Sequence, residues 1–394
     1  MKNKKKIILI ILTVLILAFA GFLFVRYKDE QARQEAYSKL NRFNEDGVLF
    51  DRQEIAKELE NKYFYKQLNN DEKLYYEALY YTSKNASTTI EWTLFPETRI
   101  LQRAKHAFVE DNPLYYWWAY GNFIFTDKVV VGNYKGEDIY YYASTPENAD
   151  QNEIVTNLKK LEEIGDKVIA DSYDDNPYIY VKNIHDYIIN SIVYGENDNQ
   201  QTIVGALLEK ECVCEGYTRA FHYLVDRAGF ECIGTSGVVK ILVSAESPNI
   251  NHAWNKIKIG DYWYMVDTTW DDFVYSLDDK NELNIPTYSY FLINDKYAAI
   301  DHEEYELTGF TKPKAEDDVL FHIDNKAKAF DSFNYKDMAG FIEECKKAGS
   351  LFAELRYLNK KDYETALKSV PYNNWYYYSD VEQTITVILN QKVR

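Results

Sequence analysis

ECVCEGYTRAF, residues 211–221, places two of the chain's four cysteines two positions apart, at the start of an apolar repeat. From Tyr217 onward the apolar residues recur at the spacing of one helix face, and Gly229 supplies a stop signal. This predicts a helix that begins close to Cys214, where free N–H groups and the helix dipole favour a thiolate. Cys214 is therefore the candidate nucleophile, whereas Cys212 precedes the helix and gains little from that field.

A nucleophilic cysteine needs a base, and the base needs a group that orients it. The stretch Asn251–Asp272, NHAWNKIKIGDYWYMVDTTWDD, reads as a β-hairpin with a two-residue turn at Gly260–Asp261. In the register that this turn sets, His252 and Asp267 are diagonal neighbours on one face, roughly 7–8 Å apart at the backbone and within side-chain reach. The sequence therefore predicts a triad of Cys214, His252 and Asp267.

Three motifs in these stretches resemble the transglutaminase-like superfamily, whose members have a papain-like fold. The motifs are C-x-G-Y at 214–217, H-A-W-N at 252–255 and V-D-x-T-W-D at 266–271, and YFLINDKYAAIDH at 290–302 is similar to the segment that usually follows. The resemblance implies an α+β fold, in which an antiparallel sheet packs against the helix that carries the cysteine at its N-terminus. A helical N-terminal region would precede this core, and a small α+β unit would follow it.

The same resemblance implies the roles of the site residues. Cys214 would attack an amide or peptide carbonyl, His252 would take the thiol proton and Asp267 would hold the imidazole. The Cys214 backbone N–H and the Gln201 side chain are candidate oxyanion donors. Three aromatic residues are candidates for the wall of the site: Trp254, Trp270 and Tyr217.

The chemistry after acylation stays open between an amine acceptor, which gives crosslinking, and water, which gives hydrolysis. A different class is also open, because a fold does not fix its use: a non-catalytic, membrane-tethered binding or scaffold module with a relic triad. Neither a calcium loop nor zinc-type ligand spacing occurs, so we expect no metal and no cofactor. Cys212 stands where the superfamily often has a small residue, which raises a Cys212–Cys232 disulfide, or a redox lock on the site, as an alternative.

The N-terminus has the pattern of a membrane anchor. Four lysines precede an unbroken apolar run, Ile7–Val25, that is long enough to cross a bilayer as a helix. We therefore expect residues 1–28 to be a cytoplasmic tip with a single-pass anchor and the large domain to be extracellular. The alternative is a signal peptide cut near Ala18–Ala20, which would release a secreted protein.

Charge narrows the class of partner. The net charge is −17, and loss of residues 1–28, with six basic and no acidic side chains, would take it to −23. Such an acidic domain repels phosphate backbones, so we expect no nucleic acid partner. The expected partner is a protein or peptide substrate, linked to the cell surface or cell wall. The expected domains are a mainly helical region at 29–145, the transglutaminase-like domain at 146–312 and the C-terminal unit at 316–394.

Overall fold

The computed structural model describes most of the chain, and its residues divide into two compact units. One unit comprises Met1–Glu60, Leu68–His106 and Trp117–Gln151, and the other comprises Asn61–Gln67, Ala107–Tyr116 and Asn152–Arg394. The described residues are 15–28, 30–31, 43–44, 47–92, 98–119, 123–134, 137–146, 149–240, 249–278, 281–286, 288–306, 309–316, 327–350, 352–370, 375–379 and 383–389.

The first unit combines helices with a small antiparallel sheet. Its helices are α1 (Arg52–Glu58), α2 (Asn70–Lys84) and most of α3 (Thr98–Asp111). Asn69 caps α2 in a capping box with Glu72, so two backbone donors that the helix leaves free are satisfied. The sheet has the order β1–β3–β2, with strands β1 (Ile90–Trp92), β2 (Phe123–Tyr134) and β3 (Glu137–Pro146).

A five-stranded antiparallel sheet forms the centre of the second unit, in the order β11–β8–β7–β6–β12. Helices α4 (Gln151–Ser172) and α5 (Pro177–Ser191) precede it, followed by strands β4 (Val193–Tyr194) and β5 (Glu211–Cys212) and by helix α6 (Cys214–Arg227). The remaining elements of this part are β6 (Glu231–Lys240), β7 (Asn249–Ile259), β8 (Tyr262–Val266), β9 (Asp272–Asp278), β10 (Asn281–Pro286), β11 (Phe291–Ile293), α7 (Asp295–Ala298) and β12 (His302–Glu304).

Two local predictions are confirmed. Helix α6 begins at Cys214 and ends just before Gly229, which has a left-handed φ of +94°. Strands β7 and β8 pair from Ile259↔Tyr262 to Asn255↔Val266, the register expected from a turn at Gly260–Asp261. The α+β fold class is confirmed with them.

The core of the second unit lies between α6, its neighbouring helices and the central sheet. Tyr217, Phe221 and Leu224 of α6 are fully buried in one cluster with Ile184 of α5 and Tyr264 of β8. Burial of each such side chain contributes about 1.5–3 kcal/mol. The helix that carries Cys214 is thus fixed against the strands that carry its partners.

Residues 327–388 have a four-stranded sheet of their own, in the order β13–β14–β16–β15. Its strands are β13 (Ala327–Phe330), β14 (Phe352–Tyr357), β15 (Trp375–Ser379) and β16 (Thr384–Ile388), and helices α8 (Tyr335–Lys347) and α9 (Lys360–Leu367) lie between them in the chain. One cluster, which includes Met338 and Leu355, is internal to this region. Ala327, Phe352 and Ile388 instead join the core around α6. The domain borders at 29–145, 146–312 and 316–394 stay a prediction.

The predicted anchor lies partly outside the described residues. Residues 15–28 are helical, and residues 7–14 of the apolar run are not described. Among the residues that the structure does describe, no helix is both long and apolar enough to span a bilayer.

Candidate active site

Cys214 is the first residue of α6. Val213 precedes it in an extended conformation, and no side chain caps the helix. The Val213 N–H donates to the Gln200 carbonyl (3.0 Å), but within the described part of the chain the Cys214 N–H donates to no acceptor. A helix N-terminus with free N–H groups favours a negative charge, whether on the sulfur or on an oxygen that forms beside it.

Cys212 has a different environment. It is fully buried, and burial first, then the nearby Cys214 and Asp272, raise the pKa of its thiol well above the ordinary value. Gly216 lies so close that a Cβ there would be 2.5 Å from the Cβ of Cys212. The alternative of a Cys212–Cys232 disulfide is wrong for this structure, because both residues have free thiols and Cys232 Sγ lies beside the Ile233 carbonyl (3.8 Å).

The imidazole of His252 joins Asp267 to the thiol. His252 Nε2 lies 2.6 Å from Asp267 Oδ2, and the Cys214 side chain lies close enough to the imidazole to raise its pKa. Burial disfavours the imidazolium, but the charge and hydrogen bond of Asp267, with Cys214, outweigh it and raise the pKa of His252 to about 10. His252 is therefore an imidazolium at neutral pH, the partner that a thiolate needs.

A second histidine, His302, also contacts Asp267. His302 Nε2 lies 3.1 Å from the same Oδ2 atom, and its Nδ1 lies 2.5 Å from Asp301 Oδ1. The two histidines outweigh the effect of burial and hold the pKa of Asp267 well below its usual range. In the sequence, His302 had only one signal, its place at the end of the segment 290–302.

The loop after Asp267 is fixed by buried hydrogen bonds. Asp267 Oδ1 accepts from the Thr269 N–H (2.9 Å) and the Trp270 N–H (3.1 Å). Asp271 contacts His185 Nε2 of α5 (3.0 Å) and accepts from the Tyr290 N–H (3.0 Å). Each carboxylate therefore orients the backbone that carries the next, so Asp267 cannot turn away from His252 without breaking several bonds.

The predicted wall residues occupy two kinds of position. Trp254 is buried and stacks on His252 (ring centroids 6.0 Å apart), and the partly exposed Trp270 lies against the same ring (5.7 Å). Tyr217 is fully buried, and its hydroxyl donates to Asp272 (2.5 Å). The Tyr217 ring also stacks on the ring of Tyr194 in β4, whose side chain is 58% exposed. Tyr194 thus lies at the surface beside the thiol, a position with no signal in the sequence.

Gln201 is exposed, and its role as an oxyanion donor stays a prediction. Its neighbour Gln200 lies at the start of α6, because its carbonyl accepts from Val213 and would lie 2.8 Å from a Cβ at Gly216. The Gln200 side-chain Oε1 is buried without a hydrogen-bond partner among the described residues. The Gln200 backbone is therefore hydrogen-bonded to Val213, the residue before Cys214.

The donor atoms of His252, Asp267 and His302 all lie within 4.8 Å of one another, a spacing that could hold a metal ion. Both histidine nitrogens, however, contact one carboxylate oxygen at hydrogen-bond distances of 2.6 and 3.1 Å. A bound ion would have to replace both of these hydrogen bonds, so the donor set fits a proton network better than a metal site.

Several solved structures are similar to part of the chain. One is named "Crystal Structure of a Putative Cysteine Protease from Cytophaga hutchinsonii" (17% identity, 38% of this chain and 67% of that chain, TM-score 0.25). Another is named "Crystal structure of a TGase" (11% identity, 49% of this chain and 54% of that chain, TM-score 0.26). A third is the periplasmic domain of TgpA from Pseudomonas aeruginosa bound to ethylmercury (14% identity, 38% of this chain and 64% of that chain, TM-score 0.24). The matches span about half to two thirds of these chains, and no curated protein matches.

Residues 167–268 match a protein family described as the transglutaminase-like superfamily. The matched range begins in α4 and ends just after Asp267, so it contains the Cys214 helix, the β7–β8 hairpin and all three predicted triad residues. This part of the chain, residues 167–268, is therefore the part that is similar to the transglutaminase-like superfamily.

Proposed function

We propose that the protein is a thiol acyl-transfer enzyme that acts on protein or peptide amides through Cys214, His252 and Asp267. One observation carries the proposal: a single imidazole, bonded through Nε2 to a buried carboxylate at 2.6 Å, also meets a thiol at a helix N-terminus. A nucleophile, its base and the base's orienter are the three groups that this chemistry requires.

The reaction follows from the protons of this site. The Cys214 thiolate attacks the carbonyl carbon, and the new oxyanion faces the free N–H of Cys214. When the tetrahedral intermediate collapses, the C–N bond breaks and the His252 imidazolium gives its proton to the leaving amine. The resulting thioester is attacked by an amine or by water, whose proton returns to His252, and Cys214 leaves as the thiolate.

The edge of β4 supports an extended peptide as the substrate. Val193 and Gly195 donate their N–H groups to Lys210 and Cys212, so the N–H and C=O of Tyr194 face away from β5. The side chains of Val193 and Tyr194 are 64% and 58% exposed. An open strand edge with exposed apolar side chains, next to the nucleophile, can add a substrate strand by main-chain hydrogen bonds.

The proposed location is outside the cytoplasm, on a single N-terminal anchor, with cell-surface or cell-wall-linked proteins as substrates. It rests on the apolar run Ile7–Val25 and its basic flank. Protease added to intact cells should digest the large domain, and protection of that domain would exclude this location. Release of a soluble form that starts near Gly21 would favour signal cleavage.

The test of the proposed chemistry is the rate at which iodoacetamide labels Cys214 in the full chain near pH 6. We expect labelling much faster than that of a small free thiol at the same pH, and a large loss in His252→Gln. A labelled primary amine then separates the two fates, because crosslinking incorporates it into a glutamine-containing peptide and hydrolysis does not. If Cys214 reacts no faster than the free thiol, the relic-triad binding module becomes the better reading.

A further inference from the structure

His302 lies between two carboxylates, one at each ring nitrogen. Nε2 is 3.1 Å from Asp267 Oδ2, and Nδ1 is 2.5 Å from Asp301 Oδ1. His302 and both aspartates are buried, and the Tyr290 hydroxyl donates to the other oxygen of Asp301. The described residues thus form one chain of contacts, from Asp301 through His302 and Asp267 to His252.

The hydrogen bonds of His302 indicate whether its imidazole is neutral or positively charged. Asp267 accepts from two backbone N–H groups through Oδ1 and faces two ring nitrogens through Oδ2, and these histidines hold its pKa well below the usual range, so it is an ionised acceptor. A neutral imidazole has one N–H, and would set a bare nitrogen against one of the two carboxylates. An imidazolium donates to both. A neutral His302 avoids a clash of lone pairs in one arrangement only: Nε2 keeps its proton and donates to Asp267, and a protonated Asp301 donates to the bare Nδ1.

Three aromatic rings surround His302. The ring centroids of Trp254, Trp270 and Tyr290 lie 4.9, 5.0 and 4.9 Å from that of His302. Burial alone would lower the pKa of His302, but the hydrogen bonds to Asp267 and Asp301 outweigh it and raise the pKa.

We propose that His302 is a positioning residue, held as an imidazolium between Asp301 and Asp267, that fixes Asp267 Oδ2 on His252. The inference rests on the proposed function and deepens it, because it extends the triad by two residues behind the carboxylate. The positive charge of His302 also opposes a second positive charge on His252, whose ring centroid is 5.7 Å away. His302 therefore helps His252 to release its proton to the leaving amine.

The groups that face His302 set the expected response to pH. Asp301 comes from its own segment, Asp267 follows β8, His252 lies on β7, and Tyr290 contributes its ring. The residue opposite His302 on β6 is Val239, which carries no charge. Loss of one charge from this set should shift the titration of His252 by about one pKa unit, the usual size for a charge at this distance.

The first experiment uses the full chain in detergent micelles with ¹⁵N-labelled histidines. NMR should show protons on both ring nitrogens of His302 at pH 7, above an ordinary histidine pKa of ~6.5. A single ring proton at pH 7 would overturn the proposal and place the proton on Asp301. This measurement uses the wild-type chain, so it depends neither on the folding of a variant nor on a known substrate.

The second experiment follows the titration of His252 in three variants. His302→Gln removes a positive charge and should raise the pKa of His252, and Asp301→Asn removes a negative charge and should lower it. The double variant should return it close to the wild-type value. His222→Gln, at a buried histidine on the far part of α6, is the matched control and should change nothing.

Shifts of equal sign in the two single variants, or no shift in either, would refute the inference, because a packing role has no reason to follow charge. Cys214 labelling in the wild-type chain is measured in parallel. If that labelling is fast while His302→Gln leaves the titration of His252 unchanged, the proposed function is supported and the proposed role of His302 is refuted. If labelling is slow, the proposed function itself fails.

Discussion

Gly237 lies directly opposite His252 in the β6–β7 ladder, and its missing side chain leaves room for the site. A Cβ at Gly237 would lie 2.1 Å from the Glu303 carbonyl oxygen and 2.6 Å from the Trp254 ring. Strand β12, which carries His302, could not pair with β6 as it does. Gly237→Ala should therefore cost about 2 kcal/mol in the free energy of unfolding and slow Cys214 labelling. Thermal and urea unfolding measure the first effect.

The control for that substitution is Gly340→Ala in α8. No atom lies within 4 Å of a Cβ at Gly340, and its φ is ordinary. Alanine in this helix should add about 0.5–1 kcal/mol to stability. Equal behaviour of the two variants would show that the space beside Gly237 is not needed.

The assignment of Cys214 over Cys212 predicts a clear difference between two alanine variants. Cys214→Ala should abolish fast labelling and any acyl transfer, because it removes the sulfur at the helix N-terminus. Cys212→Ala should retain both, since the Cys212 thiol is buried and its pKa is raised. Mass spectrometry of the labelled peptide locates the modified residue. Modification of Cys212 before Cys214 would reverse the assignment.

The raised pKa of His252 predicts a pH-dependent contribution to stability. The pKa is about 10 in the folded chain and ~6.5 for an ordinary histidine, so the folded state binds the extra proton. The stabilisation should be complete below about pH 6.5 and lost as the pH rises through 10. Urea unfolding of wild type and His252→Gln should show a gap in free energy that narrows over this range. A difference in the free energy of unfolding that widens as the pH rises would contradict the ion pair between His252 and Asp267.

The C-terminal sheet holds the loop that leads to Tyr290. Arg356 on β14 donates to the Tyr288 carbonyl (2.7 Å), and Glu354 accepts from the Tyr288 N–H (3.1 Å). Tyr290 in turn accepts the Asp267 N–H (3.1 Å). Arg356→Met leaves Glu354 buried without its cation, and should cost about 3–5 kcal/mol and slow Cys214 labelling.

Glu354→Gln in the Arg356→Met background is the matching test of that pair. It removes the buried negative charge, and should recover part of the lost stability. A strictly additive loss in the double variant would show that the two side chains act independently.

Tyr194 should affect substrate binding but not the nucleophile. Tyr194→Ala removes an exposed ring at the edge of β4, and we expect a several-fold higher KM for a peptide amide with little change in labelling by iodoacetamide. Tyr194→Phe retains the ring and should behave as wild type. Loss of labelling in Tyr194→Ala would place the residue in the support of Cys214 instead.

The positions of Cys214, His252 and Asp267 could be predicted because each depends on local sequence. The start of α6 follows from an apolar repeat, and the register of β7 and β8 follows from one turn, so both positions are set within about twenty residues. His302 could not be found in this way. It reaches Asp267 only because β12 pairs with β6, across strands that are distant in the chain, and because Gly237 leaves space.

Two other features show the same limit. Gln200 and Gln201 are adjacent, and only the path of the backbone brings the Gln200 carbonyl to Val213 at the start of α6. Strand β14 was expected from LFAELRYL, but the full burial of Glu354 and Arg356 depends on the Tyr288 loop, which has no sequence signal at β14.

The four contacts of Asp267 limit what evolution can place there. Oδ1 serves two backbone amides and Oδ2 serves two histidines, so every acceptor lobe of the carboxylate is in use. Asparagine has the same outline, but its NH₂ group would point hydrogens at either the amides or the imidazoles. Glutamate has the acceptors on a longer stem. Neither substitution, although each needs only one nucleotide change, keeps all four contacts of Asp267, so a single replacement at this position disturbs the alignment of His252.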